Sequence, residues 1–130
     1  MFYICPRCLG QGTLEINQSI HLPPDNRSDD VVVQILDCQS CQYRGGAIYQ
    51  ESRRGGLDTE SWEHLGYVVN KVQLDALAAL IAGCNDQQNP ACPCQVHVLL
   101  GAADFNGRWC LPSGFDRQRS FTMDPVFAPK

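Results

Sequence analysis

Two pairs of cysteines in the first third of the chain have the spacing of metal-binding turns. Cys5 and Cys8 form one C-x2-C pair, and Cys38 and Cys41 form the other. Each pair offers two soft thiolates from one tight turn, and two such pairs supply the four ligands of a closed tetrahedral zinc site. We therefore expect these four cysteines to bind one zinc ion. Iron is the alternative occupant, although zinc is the commoner structural ion.

A second group of potential ligands lies in a turn-rich segment that follows an apolar, helix-like stretch. Cys84, Cys92, Cys94 and His97 fall within 14 residues. Three thiolates and one imidazole can surround a single ion as a Cys3His site, so we expect a second zinc ion here. Cys110 or a water molecule is the alternative fourth ligand. Cys110 can also be a simple buried thiol, because free cysteine behaves as a small hydrophobic residue.

Length and composition fit one small domain that metal would help to stabilise. The chain has 130 residues and eight cysteines. Its first residues lack the pattern of a signal peptide. The longest apolar stretch, around residues 74–82, is about half as long as a membrane-spanning helix. We therefore expect a soluble, cytoplasmic protein, in which thiols stay reduced and free to bind metal.

The charge balance disfavours a general affinity for nucleic acid. The net charge is −4, and each four-thiolate zinc site would add about −2. Four arginines near the cysteine pairs could still form a local basic patch, or they could simply offset the thiolate charge in solvent. They are Arg7, Arg44, Arg53 and Arg54.

The first half of the chain has the pattern of a small antiparallel sheet. Apolar, β-branched and alternating residues predict four strands, and the second cysteine pair follows the third of them. Prolines, acids and an asparagine predict an exposed loop over residues 21–30, and Gly55-Gly56 predicts a boundary. The predicted strands span residues 2–4, 13–16, 31–36 and 47–54.

Strands that carry C-x2-C at each of two hairpin turns resemble the zinc-ribbon superfamily, over residues 1–56. The resemblance implies one structural zinc ion held by Cys5, Cys8, Cys38 and Cys41. The 29 residues between the pairs exceed the usual spacing of about 15–20, so the intervening loop would be a long excursion.

The first pair is also similar to a repeat in the cysteine-rich region of J-domain co-chaperones. Residues 5–12 match its C-x2-C-x-G-x-G half-motif. The second pair departs from that motif, because Tyr43 stands at the first glycine position and only Gly45 matches.

The second half of the chain, residues 57–130, predicts a helical and cysteine-rich part packed on the ribbon as one unit. Residues 57–69 suggest a turn or short helix and then a brief strand. Asn70 and Gln73 form a capping box for a helix that ends at Gly83 and supplies most of the core. We expect a short buried segment over residues 96–100, either helix or strand.

Beyond that segment the sequence predicts little regular structure. Asn106-Gly107 is a hairpin-tip signal, and the chain beyond Pro112 is predicted to be irregular. The expected fold class is thus a small, metal-stabilised α+β fold. An N-terminal zinc-ribbon antiparallel sheet is followed by a helix and a second Cys/His-rich loop.

The function favoured by these patterns is a zinc-binding module without catalysis that mediates protein interaction or regulation. Nucleic acid is the less favoured partner, and no membrane partner is expected. Arg53 and Arg54 beside Tyr49 or Trp62 would suit the binding of single-stranded nucleic acid, but one such cluster in an acidic chain is weak support for that function.

Two alternatives remain open at the sequence level. A zinc hydrolase or deaminase would use Cys84, Cys92 and Cys94 with water as the fourth ligand, and Glu63 or His64 as general base. The H-x-E and P-C-x-x-C motifs of nucleoside-type deaminases are missing. A thiol oxidoreductase would use the first cysteine pair, although glycines and a strand pattern follow it in place of a helix.

Overall fold

The structure, a computed structural model, describes residues 2–53 and 61–126. Strands dominate this part of the chain, and a short 3-10 helix, Arg117–Arg119, precedes the sixth strand. The strands are β1 (Phe2–Tyr3), β2 (Leu14–Leu22), β3 (Asp30–Cys38), β4 (Arg44–Ser52), β5 (Ser61–Tyr67), β6 (Ser120–Thr122) and β7 (Pro125–Val126). The helices are α1 (Lys71–Ala82) and α2 (Gln95–Leu100).

The strands form one antiparallel sheet in the order β6-β5-β4-β3-β2-β1-β7. β6 and β7 lie at opposite edges of the sheet although only Met123 and Asp124 separate them in sequence. The N–H of Met123 donates to the carbonyl of His64 in β5, and the carbonyl of Asp124 accepts from Ile4 beside β1. One short segment thus spans both edges, which requires a strongly curved sheet, a half-barrel.

The sheet is buried on both faces, and β3 contributes to both cores. In β3, Val31, Val33 and Ile35 pack in the core shared with α1, whereas Leu36 and Cys38 pack in the core shared with Met123. Because successive side chains of a strand point to opposite faces, a strand covered on both sides reads as a continuous apolar run. This double burial explains why residues 31–36, one of the four predicted strands, are almost all apolar.

α1 begins and ends where the sequence predicts. Asn70 is its N-cap, with a side chain that accepts a hydrogen bond from the N–H of Gln73 at 2.9 Å. The N–H of Gly83 donates to the carbonyl of Ala79 at 3.1 Å and closes the last turn. Only three of the helix's side chains are buried, so the expectation that the helix supplies most of the core is wrong. The strands contribute the larger share.

The segment predicted as a loop over residues 21–30 is shorter in the structure. β2 continues to Leu22, and β3 begins at Asp30. Ile20 and Leu22 are buried opposite Val33 and Val31, so packing against β3 extends the strand beyond its local alternating pattern. An extra residue, Asn17, shifts the register and obscures that alternation.

The C-terminal segment, predicted to be irregular, contains β6 and β7. Its strands are only three and two residues long, and they exist because the edges of the sheet offer unpaired backbone groups. Met123 is buried between them. A tertiary contact of this kind leaves no periodic signal in the sequence.

The remaining expectations meet different outcomes. β5 occupies most of the segment expected to be a turn or short helix with a brief strand. Residues 95–100 are helical, but within the segment 96–100 that was expected to be buried only His97 is buried. Gly107 adopts a positive φ in a tight turn flanked by the Ala103 and Trp109 bridge, as the hairpin-tip signal predicts. The proposed boundary at Gly55-Gly56 lies outside the described residues, and β4 and β5 on either side of it are paired. The structure thus has an antiparallel sheet with two helices; a zinc-ribbon arrangement is not established by it.

We predict that Gly66→Ala lowers the free energy of unfolding by about 1–3 kcal/mol, because overpacking displaces a neighbouring ring. Gly66 pairs with Phe121 across the β5–β6 ladder, and a Cβ at Gly66 would collide with the Phe121 ring. Urea denaturation measures the change. In a Phe121→Ala background the same glycine substitution should cost less than about 0.5 kcal/mol, since the obstructing ring is gone. An equal cost in both backgrounds would contradict the contact.

Candidate metal centres

The β-ladder brings the two cysteine pairs together. The first pair lies between β1 and β2, and the second lies between β3 and β4. Leu14 at the start of β2 faces Cys38 at the end of β3, and the N–H of Gln39 donates to the carbonyl of Thr13 at 2.8 Å. Pairing of β2 with β3 therefore places both turns at the same end of the sheet.

The four sulfur atoms have the spacing of a tetrahedral site. Cys5 Sγ lies 3.6 Å from Cys41 Sγ, and Cys8 Sγ lies 3.7 Å from Cys38 Sγ. With Zn–S bonds of about 2.3 Å, sulfur atoms at the corners of a tetrahedron are about 3.8 Å apart. All four atoms lie within 4.8 Å of one another, so these residues could hold a metal ion. The distances are far too long for disulfides, and all eight cysteines are free.

Backbone groups in the two turns point at the sulfur atoms. The N–H groups of Ser40 and Cys41 each lie 3.4 Å from Cys38 Sγ, and the N–H of Arg7 lies 3.4 Å from Cys5 Sγ. Such donors stabilise negative charge on sulfur. The turns are also alike in conformation, because the residue after each second cysteine has a positive φ: 61° at Leu9 and 65° at Gln42.

The thiols of this group have opposing pKa shifts. Burial raises the pKa of Cys5 to about 12. Burial also disfavours the Cys38 thiolate, but its hydrogen bond with the Thr13 hydroxyl and those from backbone N–H groups outweigh burial and lower the pKa of Cys38 to about 6. A divalent cation would supply the charge needed to ionise the buried Cys5 thiol, so metal uptake would release protons.

The second group forms where α1 ends and α2 begins. Gly83 ends α1, and Cys84 follows it directly; Cys94 is the N-cap of α2. His97 lies on the first turn of α2, three residues after Cys94, and donates its N–H to Cys94 Sγ at 3.4 Å. Residues three apart on a helix lie on the same face, so both side chains point toward Cys84.

The distances in this group also fit one small ion. Cys84 Sγ lies 3.5 Å from Cys94 Sγ and 3.9 Å from Cys92 Sγ. His97 Nδ1 lies 3.3 Å from Cys84 Sγ and 3.1 Å from Cys94 Sγ. The four ligand atoms lie within 4.8 Å of one another. Cys110 is exposed and belongs to neither group.

The imidazole of His97 is held by its other nitrogen. Nε2 lies 3.0 Å from the backbone carbonyl of His21 in β2, and the side chain is only 1% exposed. A carbonyl can only accept a hydrogen bond, so Nε2 carries the proton and Nδ1 is left with its lone pair facing the sulfur atoms. This is the arrangement that prepares histidine as a metal ligand.

The same contact covers an unpaired edge of the sheet. β1 pairs with β2 only at Leu14 and Glu15, so the rest of that edge has no strand beside it in the described structure. The N–H of His21 donates to the carbonyl of Gln87 at 2.8 Å, while its carbonyl accepts from His97. The Cys/His segment thus satisfies both backbone groups of His21. The sequence gives no sign of this role, since a backbone carbonyl has no signature in residue type.

The candidate general bases lie outside both ligand groups. His64 Nε2 lies 2.7 Å from Gln34 Oε1, and its ring makes edge-to-face contacts with Tyr3 and Tyr49. Glu63 lines two polar cavities near Arg27. No helix follows the first cysteine pair, where a thiol oxidoreductase would have one.

Two of the four arginines near the cysteine pairs form ion pairs with acidic side chains. Arg44 forms ion pairs with Asp37 and Asp75, and Arg53 forms ion pairs with Asp30 and Glu51. Tyr49 and Trp62 are stacked on each other, with ring centroids 6.4 Å apart. Arg54 lies outside the described residues.

We predict that Gln42→Gly raises the free energy of unfolding by about 0.5–1 kcal/mol. A positive φ costs a residue with a Cβ about 1–2 kcal/mol, and glycine avoids this cost. Part of the resulting gain in stability is offset, because glycine has a greater chain entropy in the unfolded state. Gln42 is exposed, so little packing is lost. Ser40→Gly is the matched control in the same turn: without a positive φ there, it should destabilise the protein. Equal destabilisation by both changes would contradict the prediction.

We predict that His64 titrates near pH 4, because burial lowers its pKa to about 4. An unfolded histidine takes up its proton near pH 6.5, so the stability that His64 contributes is complete above that pH and is lost as pH falls toward 4. The proton resonances of the His64 ring, followed by NMR between pH 7 and 3.5, measure this pKa. A midpoint near 6.5 would show that the ring is accessible to solvent.

Comparisons with protein-family models, curated proteins and solved structures gave no match for this chain. In the described residues, no helix combines the length and the apolar character needed to cross a membrane. The geometry by itself gives two groups of cysteine and histidine side chains, each of which could hold one metal ion.

Proposed function

We propose that this protein is a zinc-stabilised, non-catalytic module with two closed structural sites. Cys5, Cys8, Cys38 and Cys41 would hold one ion, and the group of Cys84, Cys92, Cys94 and His97 would hold the other. The observation that carries the proposal is the convergence of four ligand atoms within 4.8 Å in each group. Four protein ligands fill a tetrahedral site and leave no position for a reacting water.

The donor sets favour zinc over other ions. Four thiolates, or three thiolates and an imidazole, are the usual ligands of structural zinc. Iron fits the first group by donor type, whereas the imidazole in the second group makes that site more typical of zinc. The zinc-ribbon resemblance points the same way for the first site, because its cysteine pairs lie at the ends of two neighbouring hairpins. Reduced thiols suit a compartment such as the cytoplasm.

Each ion would add a further link between separate segments of the chain. The first would fasten the β1–β2 turn to the β3–β4 turn, and the second would fasten the end of α1 to the start of α2 and to the edge of β2. The segment between Cys84 and Cys94 has no helix or strand of its own. Because such a site does not exist in an unfolded chain, the binding free energy of the metal would stabilise the fold.

A protein is the partner that this module best suits. A groove of about 400 Å³ runs between α1 and α2, lined mainly by apolar side chains that include Leu80, Leu99 and Leu111. Leu99 and the neighbouring Val98 are each more than half exposed. Apolar surface of this kind is more typical of contact with protein than with nucleic acid, and the acidic net charge agrees.

We predict that protein purified without added metal contains two zinc ions per chain. Cys38→Ser and Cys84→Ser should each retain one ion, since each removes a ligand from a different site. His97→Ala should retain one ion, or it should retain two ions of which the second exchanges readily. Cys110→Ser is the matched control and should retain two. Elemental analysis by mass spectrometry, with far-ultraviolet circular dichroism to check folding, measures these outcomes.

Three results would contradict the proposal. Metal-free protein that is folded and indifferent to strong chelators would remove both sites. One ion in the intact chain, lost in Cys38→Ser and kept in Cys84→Ser, would leave the second group as packed thiols. Two ions retained in His97→Ala, with no faster exchange, would place the fourth ligand elsewhere.

A further inference from the structure

Two adjoining polar cavities lie beside the paired strands β4 and β5, and none of the candidate metal ligands lines them. The inner one, of about 140 Å³, is bordered by Tyr67, Trp109 and Arg117; the outer one, of about 300 Å³, is bordered by Ser52, Ser61 and Trp62. Both cavities are also lined by four shared residues, so they form one continuous groove. The shared residues are Arg27, Gln50, Glu63 and Arg108.

Three guanidinium groups from three separate segments line the inner cavity. Arg27 comes from the loop between β2 and β3, Arg108 from the tight turn after α2, and Arg117 from the 3-10 helix. Within the described residues, none of the three side chains forms an ion pair or hydrogen bond. Unpaired guanidinium groups are preferred partners for phosphate and carboxylate, because each presents several donors in a fixed plane.

The acids near the groove compensate only part of this positive charge. Asp25 is committed to backbone groups: its Oδ1 accepts from the N–H groups of Arg27 and Ser28, and its Oδ2 accepts from Trp109. Glu51 is committed to Arg53. Asp25 and Glu63 are thus the two acids of the groove without an ion pair to the described residues. Three arginines against Asp25 and Glu63 give a local charge of about +1, in a chain whose net charge is −4.

A cavity with an excess of positive charge favours an anion such as a phosphate monoester, which carries about −1.5 to −2 at neutral pH. The inner cavity has room for a phosphate group but not for much more, so the organic part of such a ligand would occupy the outer cavity. There Trp62 is 64% exposed and is backed by Tyr49, with the two rings inclined by only 23°. A fixed aromatic ring with an open face is a stacking platform for a planar ring.

We propose that this groove binds a phosphate monoester with a planar ring, such as a nucleoside monophosphate. Arg27, Arg108 and Arg117 bind the phosphate in the inner cavity. Trp62 stacks on the planar ring in the outer cavity. Glu63, which lines both, accepts hydrogen bonds from hydroxyl groups of the part in between. This inference is independent of the metal sites.

The test uses the full chain as purified and three probes, followed by isothermal titration calorimetry at low salt. Adenosine 5′-monophosphate has the phosphate and the ring, ribose 5-phosphate has only the phosphate, and adenosine has only the ring. We expect saturable binding of the monophosphate with a dissociation constant of about 0.1–1 mM, typical of a few charge-assisted contacts in an open site. Ribose 5-phosphate should bind about 5-fold or more weakly, and adenosine more weakly still.

Substitutions separate the groove from general charge attraction. Arg117→Gln should weaken binding of the monophosphate by about 10-fold or more, because it removes one charge-assisted contact. Arg119→Gln is the matched control: it lies two residues away in the same 3-10 helix and lines neither cavity. It should change the affinity by less than about 2-fold. Trp62→Leu should bring the monophosphate down to the affinity of ribose 5-phosphate.

The proposal is overturned if the intact chain shows no saturable binding of the monophosphate below about 10 mM. Equal weakening by Arg117→Gln and Arg119→Gln would also overturn it, because the attraction would then be that of any surface cation. Equal binding of the monophosphate and ribose 5-phosphate would remove the planar ring from the proposed ligand. Each variant is first compared with the intact chain by circular dichroism, and since these side chains are exposed, loss of folding is not expected.

Discussion

The antiparallel pairing of β2 with β3 is the contact on which both candidate metal centres depend. At one end of the ladder, Leu14 faces Cys38, and the two cysteine pairs meet there. At the other end, His21 in β2 offers its carbonyl to His97. A change in register would move every side chain of β2 to the opposite face and separate both groups. Such a change would be costly, because it would remove the buried side chains of Ile20 and Leu22 in β2 from the core they share with β3.

The curvature of the sheet explains why the C-terminal segment matters to a site formed by the N-terminus. β1 has only two residues, too few to hold the first cysteine pair in place alone. It lies between β2 and β7, and Ile4 just before Cys5 donates to Asp124. Buried Met123 anchors that C-terminal stretch in the core cluster that also contains Cys5. The position of Cys5 therefore depends on contacts from residues more than a hundred positions later in sequence.

The ligand groups were accessible to sequence reasoning because their signal is local. C-x2-C pairs, and a cysteine three residues before a histidine, bring side chains together whatever the wider fold. The capping box of α1 was equally local, with Asn70 and Gln73 in direct contact. β6 and β7 could not be predicted, because a strand of two or three residues has no period and owes its existence to the edge it meets. The bulge at Asn17 similarly interrupts the alternation of polar and apolar residues, so the second half of β2 was not predicted as a strand.

The two groups place opposite demands on their surroundings, and the fold meets both. Thiolates require donors and positive charge, yet Cys5 and Cys84 are buried, where burial raises their pKa to about 12 and 11. The backbone N–H of His97 lowers the pKa of Cys94 to about 6, as hydrogen bonds do for Cys38. Each group therefore joins a thiol that ionises readily to one that ionises only beside a cation. Because the first thiol has a low pKa, protons compete only weakly with a metal ion for it. The positive charge of a divalent ion bound there would favour ionisation of the second thiol. If an ion binds, this pairing would make its retention depend on the whole group and not on any single thiol.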